Sequence, residues 1–140
     1  MDLSQGLAFA AQHKRGGCCT RKRDGHPQLS NIAYRVENGT FDISITADRA
    51  KYFNLKRDPW AALHITQDNF WAYAVFEGPV ELTPVAADPN DATVELLIET
   101  YRAMAGEHPN WDEYREAMVN DKRLVVRLTA DHAYGMLPAQ

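Results

Sequence analysis

Residues 40–46 alternate strictly between polar and apolar side chains, which is typical of a strand with one buried face. Phe41, Ile43 and Ile45 fall on one side, and Thr40 and its polar neighbours fall on the other. The segment Glu37-Asn38-Gly39 directly before it favours a tight hairpin, because Asn-Gly tolerates the backbone angles of a two-residue turn. A strand entered from such a turn pairs antiparallel with its predecessor. This part of the chain therefore predicts antiparallel sheet.

Other segments have the same strand-like character and are separated by turn signals such as Arg23-Asp24-Gly25-His26 and Gln67-Asp68-Asn69. Together with 40–46 they make six predicted strands, the others being 17–22, 27–36, 60–67, 70–82 and 123–134. The strands follow one another through hairpins, without the strand–helix–strand rhythm of a parallel sheet. The pattern predicts a mainly β fold with flanking helices (α+β), built on a six-stranded antiparallel barrel.

Helical spacing appears near the start of the chain and between the last two predicted strands. Leu3, Leu7 and Ala10 share one face of a short first helix. A later helix is predicted to start at Asp88-Pro89, since a capping residue followed by proline favours a helix start. Its apolar stripe and that of the next helix, which opens at Asn110, predict core packing rather than a cofactor site.

A basic segment follows the strand 40–46. It places four cations, Arg49, Lys51, Lys56 and Arg57, within nine residues. Asp48 is predicted to cap a short helix beginning near Arg49, so that cationic side chains meet free backbone N–H groups at a helix start. Both features favour a bound anion, most simply a phosphate. The alternative is a solvated basic helix on the surface.

Composition limits the possible classes of protein. The chain has 140 residues, which predicts a single domain, and a formal net charge of −4, which argues against general nucleic-acid binding. No apolar run approaches the roughly 18 residues of a membrane span, and a signal-peptide core is lacking, so we expect a cytoplasmic protein without membrane contact. Cys18 and Cys19 are neighbours and would point to opposite faces of a strand. They are interpreted as reduced packing residues, with a redox role as the alternative.

Motifs for side-chain catalysis are missing from the sequence. The five histidines show no metal-ligand spacing, and no nucleophile elbow, P-loop or dinucleotide fingerprint is present. The acidic residues form no convincing carboxylate pair. The sequence therefore predicts no metal site and no catalytic side chain, and any reaction would depend on a bound cofactor.

Two strand segments carry side chains suited to a planar ligand. On the second predicted strand, Gln28 and Ser30 share one face and Asn31 lies on the other, where polar groups can hydrogen-bond a heterocycle. An ordinary hairpin arm with a polar outer face is the alternative. Trp71 and Tyr73 offer stacking surface, although core or dimer-interface packing would also explain them.

The order of several segments resembles that of a known family. The segments are DGHPQLSN at 24–31, RAK at 49–51 with NLKRDP at 54–59, and AVFEG at 74–78. In this order they are similar to the split-barrel flavin and deazaflavin oxidoreductases related to pyridoxamine 5′-phosphate oxidase. Two later segments, 101–108 and 111–119, resemble the actinobacterial branch that uses the deazaflavin coenzyme F420. The likeness covers about residues 5–135.

The resemblance implies a split barrel of the FMN-binding type and a set of cofactor-binding residues. Arg49-Ala50-Lys51 match the family's phosphate-binding Arg-x-Lys. The other matched positions are Gln28, Ser30 and Asn31 beside the ring system, Ser44 and Ile45 on the next strand, and Trp71 and Tyr73 near the cofactor or the substrate.

The resemblance also implies a homodimer with cofactor sites at its interface. The implied reaction is hydride transfer from F420 to a small electron-poor acceptor, unsaturated or quinone-like. The alternatives are an FMN-dependent enzyme of the pyridoxamine 5′-phosphate oxidase type, and an FMN- or F420-binding carrier without turnover. One segment departs from the family: Gly17-Cys18-Cys19 replaces the bulky aliphatic residues usual on that strand.

Overall fold

The structure, a computed structural model, describes residues 1–139. Within them lie eight strands and four helices. In chain order the elements are α1 (Leu3–Ala10), β1 (Arg15–Arg21), β2 (Pro27–Ala33), β3 (Arg35–Glu37), β4 (Thr40–Thr46), α2 (Ala50–Arg57), β5 (Trp60–Thr66), β6 (Tyr73–Leu82), α3 (Ala92–Ala105), α4 (Trp111–Asn120), β7 (Arg123–Thr129) and β8 (His132–Met136). None of these helices is long and apolar enough to cross a membrane.

All strand pairs are antiparallel, in the order β2-β1-β5-β6-β7-β4-β3, with β8 on β6. Strand β6 belongs to both halves of the sheet, because residues 73–79 pair with β5 and residues 80–82 pair with β7. This sharing curls the sheet into a barrel. The two ends of the curl approach each other where β2 lies beside β4, but these strands are not hydrogen-bonded partners. The barrel is therefore split between β2 and β4.

The mainly β, antiparallel fold is as predicted, but the strand number of six is wrong for the described residues. Two predicted strands are each broken in two. The segment 27–36 is interrupted at Tyr34, whose hydroxyl donates to Ala10 O at 2.7 Å inside the core. The segment 123–134 is interrupted at Ala130 and Asp131, whose amides donate to Gly39 O and Glu77 O. These tertiary hydrogen bonds leave no sign in the local alternation.

Two predicted element starts also need correction. The strand predicted to begin at residue 70 begins at Tyr73, because a turn precedes it. In this turn the amide of Phe70 donates to Gln67 O, and the amide of Gln67 donates to Ala72 O. The helix predicted to start at Asp88-Pro89 begins at Ala92, since the Asp91 carboxylate caps it by accepting from Val94 N at 2.9 Å. Proline followed by a turn gives a signal similar to that of a helix start.

The barrel core forms around the strand that alternates most strictly. Phe41, Ile43 and Ile45 are all buried, and the Phe41 ring centroid lies 4.9 Å from that of Phe76. The Asn38-Gly39 turn has a positive φ at both residues, as the predicted hairpin requires. A second cluster packs α3 and α4 against Val125 on the outer face of β7. The helical stripes are therefore core, as predicted.

Asp42 lies on the predicted polar side of β4 and is nevertheless only 1% exposed. Arg127 Nε donates to its carboxylate at 2.8 Å, and Arg35 Nε donates to it at 3.1 Å. Because the two guanidinium groups neutralise and hydrogen-bond it, the buried carboxylate is tolerated.

Candidate functional site

A cavity of about 470 Å³ occupies the split between β2 and β4 and is closed at one end by the start of α2. Eight of the ten residues predicted to bind a cofactor line it. They are Gln28, Ser30, Asn31, Ser44, Ile45, Arg49, Ala50 and Lys51. Three separate stretches of the sequence therefore meet at one place, and their role toward a cofactor remains a prediction.

The start of α2 differs from the sequence prediction in its capping residue. Arg49, not Asp48, is the N-cap, and no side chain caps the helix. The Asp48 carboxylate instead accepts a hydrogen bond from the Thr46 hydroxyl, which lowers the pKa of Asp48. Since no carboxylate blocks them, the first N–H groups of α2 and the exposed Arg49 side chain are available to an anion.

Lys51 extends from the first turn of α2 toward β2. Its Nζ donates to Ser30 Oγ at 3.1 Å, and within residues 1–139 it pairs with no carboxylate. Burial lowers the pKa of Lys51 below its ordinary value, and the nearby Arg49 charge acts in the same direction. A half-buried ammonium without a counterion is unfavourable. An anion bound in the cavity would relieve that cost.

A chain of buried polar side chains fixes α2 against the sheet. Asn54 Nδ2 donates to Thr20 Oγ1 at 3.1 Å, and Thr20 Oγ1 donates to Gln28 Oε1 at 3.0 Å. Asn54 and Thr20 are both buried. The chain of hydrogen bonds therefore sets the position of the α2 cations relative to the Gln28 side chain on β2.

The backbone of β2 also faces the cavity. The amide of Tyr34 donates to Lys14 O, and the amide of Lys22 donates to His26 O. In this register the even-numbered residues of β2 form the hydrogen bonds to β1. Residues of an antiparallel pair alternate between positions that bond to the partner strand and positions that do not. The N–H and C=O groups of Asn31 and Ala33 therefore point away from β1 and into the split. An edge strand in this position presents donors and acceptors in one plane.

Arg123 is a cavity residue that the sequence prediction missed. Its Nη1 donates to Ser44 Oγ at 3.3 Å, and its Nε is buried without an acceptor in the described part of the chain. The sequence showed only an arginine at the start of a strand. The pairing of Arg123 with Thr46 across β7 and β4 brings it to the site, and that pairing is not visible in the local pattern.

Trp71 and Tyr73 do not line this cavity. Trp71 lies in the turn before β6 and is 80% exposed, and the Tyr73 ring packs 5.5 Å from that of His64. A second, open cavity of about 1100 Å³ lies on the opposite face of the sheet, beside Gly17, His64 and Phe70. The two cavities share residues 31–33 of β2.

The two cysteines occupy opposite faces of β1, as predicted. Cys18 is buried and Cys19 is partly exposed, and both are free thiols. Burial raises the pKa of Cys18 to about 11, so its thiol is neutral near pH 7. No group of three or more His, Cys, Asp or Glu side chains suited to a metal occurs within residues 1–139.

An antiparallel barrel that is open between two unpaired strands, here β2 and β4 with cations beside the gap, belongs to the split-barrel class of proteins. A family model described as pyridoxamine 5′-phosphate oxidase matches residues 5–137. The chain therefore belongs to the pyridoxamine 5′-phosphate oxidase family.

Solved structures support the same fold at low sequence identity. A conserved hypothetical protein from Mycobacterium tuberculosis is 22% identical with a TM-score of 0.76, covering 100% of this chain and 91% of the other. A protein described as F420 reductase is 23% identical with a TM-score of 0.64, covering 86% and 89%. An FMN-binding protein from Nostoc punctiforme is 13% identical with a TM-score of 0.64, covering 95% and 78%.

Proposed function

We propose that this protein is an oxidoreductase that binds coenzyme F420 and transfers a hydride to a small electron-poor acceptor. The observation that carries the proposal is the convergence of Arg49, Lys51 and Ser30 on one cavity, at an uncapped helix start. The cofactor supplies the hydride when it is bound. The protein supplies the binding groups, the orientation and the exclusion of water.

The residues present fit a phosphorylated ring cofactor. Arg49, Lys51 and the first N–H groups of α2 would hold the phosphate, because charge-assisted donors suit its oxygens. The Gln28 amide and the edge backbone of Asn31 and Ala33 would hydrogen-bond the planar ring system. The half-buried Lys51 ammonium supports this assignment, since it has no carboxylate partner in the described chain.

F420 is preferred over FMN because of the resemblance of segments 101–108 and 111–119 to the F420-using branch. The similar structure described as F420 reductase is consistent with this choice. An FMN-dependent enzyme, or a carrier without turnover, is the alternative. The described residues lining the cavity include no carboxylate and no histidine that could donate a proton to an acceptor. A carrier would not need such a group, so the carrier is the better interpretation if the protein reduces no acceptor.

The acceptor is proposed to bind in the second cavity, which shares residues 31–33 of β2 with the first. Gly17 lies between Asn31 and His64 in the pairing of β2, β1 and β5. A Cβ at Gly17 would meet no atom within 4 Å, so the glycine leaves a shallow, flat floor. A planar acceptor suits such a floor, with the amide and imidazole at its edges.

A homodimer is proposed to cover the outer face of this sheet. Leu29, Tyr134 and Met136 are large apolar side chains exposed on that face. Exposed apolar side chains on one face favour association, and two symmetric copies are the commonest arrangement. The resemblance implies that Trp71 and Tyr73 lie near a cofactor, and since they do not line the cavity of their own chain, we propose that they contribute to the site of the second copy. Light scattering of the purified protein should give twice the mass of the chain.

Binding and turnover of the purified protein test the proposal. F420 and FMN are titrated separately by fluorescence, and reduced F420 is then followed with a panel of quinones and unsaturated carbonyl compounds. We expect F420 to bind more tightly than FMN, and reduced F420 to be oxidised only when protein and acceptor are both present. Tight FMN binding without F420 binding would contradict the proposal. Binding of F420 without turnover of any acceptor would favour the carrier.

A further inference from the structure

Arg123 differs from the other arginines of the described chain in its surroundings. The arginines at 21, 35, 102, 115 and 127 each pair with a carboxylate. Those at 15, 23, 49 and 57 are exposed to solvent. Arg123 is half-buried, pairs with no carboxylate within residues 1–139, and has a buried Nε without an acceptor. A cation in this setting is unfavourable unless an anion joins it.

The backbone holds Arg123 in a fixed position at the cavity. The amide of Ala47 donates to Lys122 O at 3.0 Å, and the amide of Ala86 donates to Arg123 O at 2.7 Å. Strand pairing sets Arg123 opposite Thr46, and Thr46 precedes Arg49 by three residues. Because the carbonyl groups before and after its Cα are both hydrogen-bonded, the backbone of Arg123 is held in place. The guanidinium can therefore change position only through rotation of its side-chain torsions.

The hydrogen-bond donors of Arg123 are only partly satisfied within the protein. Nη1 donates to Ser44 Oγ, while Nε and Nη2 donate to no atom of the described chain. Nε and Nη2 form one edge of the planar guanidinium. Nε on that edge is buried, so the terminal Nη2 is the donor left for an oxygen of a phosphoryl or carboxylate group in the cavity.

We propose that Arg123 is the third cation of the anion site and binds the phosphoryl group of the cofactor through its terminal nitrogen Nη2. The inference rests on the phosphate site of the proposed function and extends it to the charge of the ligand. Arg49, Lys51 and Arg123 place three positive charges at one cavity. The nearby Asp48 carboxylate, whose pKa is lowered by its hydrogen bond from Thr46 and further by Arg49 and Arg123, offsets one of these charges. The two that remain are not balanced by a single negative charge. The site therefore selects a ligand with at least two negative charges, either a phosphate monoester or a phosphodiester followed by carboxylates.

The test compares ligands with and without the phosphoryl group. The affinities of wild type and Arg123→Gln are measured for FMN against riboflavin, and for F420 against its phosphate-free deazaflavin. We expect Arg123→Gln to bind FMN or F420 about 10- to 100-fold more weakly, and to leave the affinity for riboflavin and the phosphate-free deazaflavin unchanged. Lys122→Gln is the matched control, because it removes the same charge from an exposed neighbour.

Two results would overturn the inference. Equal losses for the phosphorylated and the phosphate-free ligands would show that Arg123 acts only by shaping the cavity. A Lys122→Gln loss as large as that of Arg123→Gln would show that net charge, not contact, is responsible. Arg123→Lys covers the case in which Arg123→Gln does not fold. It keeps the charge but not the planar guanidinium, so we expect a smaller phosphate-specific loss, and full wild-type affinity would contradict the proposal.

The design separates this inference from the proposed function. If FMN binds and F420 does not, the choice of F420 is wrong, while the FMN and riboflavin comparison still decides the role of Arg123. If wild type binds neither cofactor, inorganic phosphate is titrated by NMR. A change in protein chemical shifts on addition of phosphate that is lost in Arg123→Gln then supports the anion site. If wild type shows no such change, the proposed role of Arg123 is overturned.

Discussion

Lys51 Nζ lies 3.1 Å from Ser30 Oγ and donates a hydrogen bond that joins the first turn of α2 to the edge strand β2. This bond crosses the split of the barrel, where β2 and β4 leave a gap. It orients the ammonium along the wall of the cavity. The contact therefore links the helix that supplies the cations to the strand that faces the proposed ring system.

Replacing Lys51 by alanine should weaken binding of the phosphorylated cofactor by about 1.5–3 kcal/mol, the usual contribution of a charge-assisted hydrogen bond. The free energy of unfolding should change little, because the half-buried ammonium pairs with no carboxylate in the described chain. Fluorescence titration and urea denaturation measure the two effects. Lys122→Ala, on an exposed turn, should change neither. Normal cofactor binding by Lys51→Ala would show that the phosphate lies elsewhere.

The same lysine predicts a pH dependence of cofactor affinity. Burial lowers the pKa of Lys51 in the ligand-free protein, and a bound phosphate would raise it again. Binding therefore favours the protonated lysine. Cofactor affinity should be constant near neutral pH and should fall as the pH rises through the lowered pKa of Lys51. This fall should occur at a lower pH than it would for a lysine with an ordinary pKa.

Titrations between pH 7 and 10 measure this dependence. Lys51→Arg is the control, because a guanidinium stays charged over that range and any titration of the cofactor ring is common to both proteins. Identical pH profiles for wild type and Lys51→Arg would contradict the prediction.

Asn54→Ala should lower the free energy of unfolding by about 1–3 kcal/mol, since the buried amide donates to the Thr20 hydroxyl and accepts from Arg57. It should also weaken cofactor binding, because α2 loses its link to Gln28. Urea denaturation and cofactor titration of the same variant measure both. Asn120→Ala, at the exposed end of α4, is the matched change and should have neither effect. An Asn54→Ala protein as stable as wild type would rule out the buried chain of hydrogen bonds.

Of the two adjacent glycines on β1, only Gly16 should lose stability when it is replaced by alanine. A Cβ at Gly16 would lie 2.6 Å from the carbonyl oxygen of His64, so Gly16→Ala should cost about 1–3 kcal/mol of unfolding free energy through overpacking. A Cβ at Gly17 would meet no atom within 4 Å. Gly17→Ala should keep the stability of wild type and bind cofactor normally.

Gly17→Ala should nevertheless reduce turnover of planar acceptors, because the new methyl group rises from the proposed floor of the second cavity. Thermal denaturation and steady-state kinetics of the two variants give the comparison. If Gly17→Ala reduces planar acceptors at the wild-type rate, the acceptor does not lie on that floor.

Much of the fold follows from local sequence patterns. The alternation of 40–46 and the Asn38-Gly39 turn were sufficient to predict β4 and its hairpin, because side-chain period and turn chemistry act between neighbouring residues. Where strands end depends on distant partners. The break at Tyr34 is set by a hydrogen bond to Ala10, and the break at residues 130 and 131 is set by bonds to Gly39 and Glu77.

The sequence by itself determined the antiparallel β character, the basic segment at Arg49 and Lys51, and, through segment order, the likeness to a family. Only the tertiary structure decided that these cations face Ser30 and Ser44 across a split barrel, and that Arg123 joins them. It also placed Trp71 and Tyr73 away from that cavity. The physical reason is that charge and period are properties of adjacent residues, whereas a binding cavity is formed by strands that pair across more than seventy residues of chain.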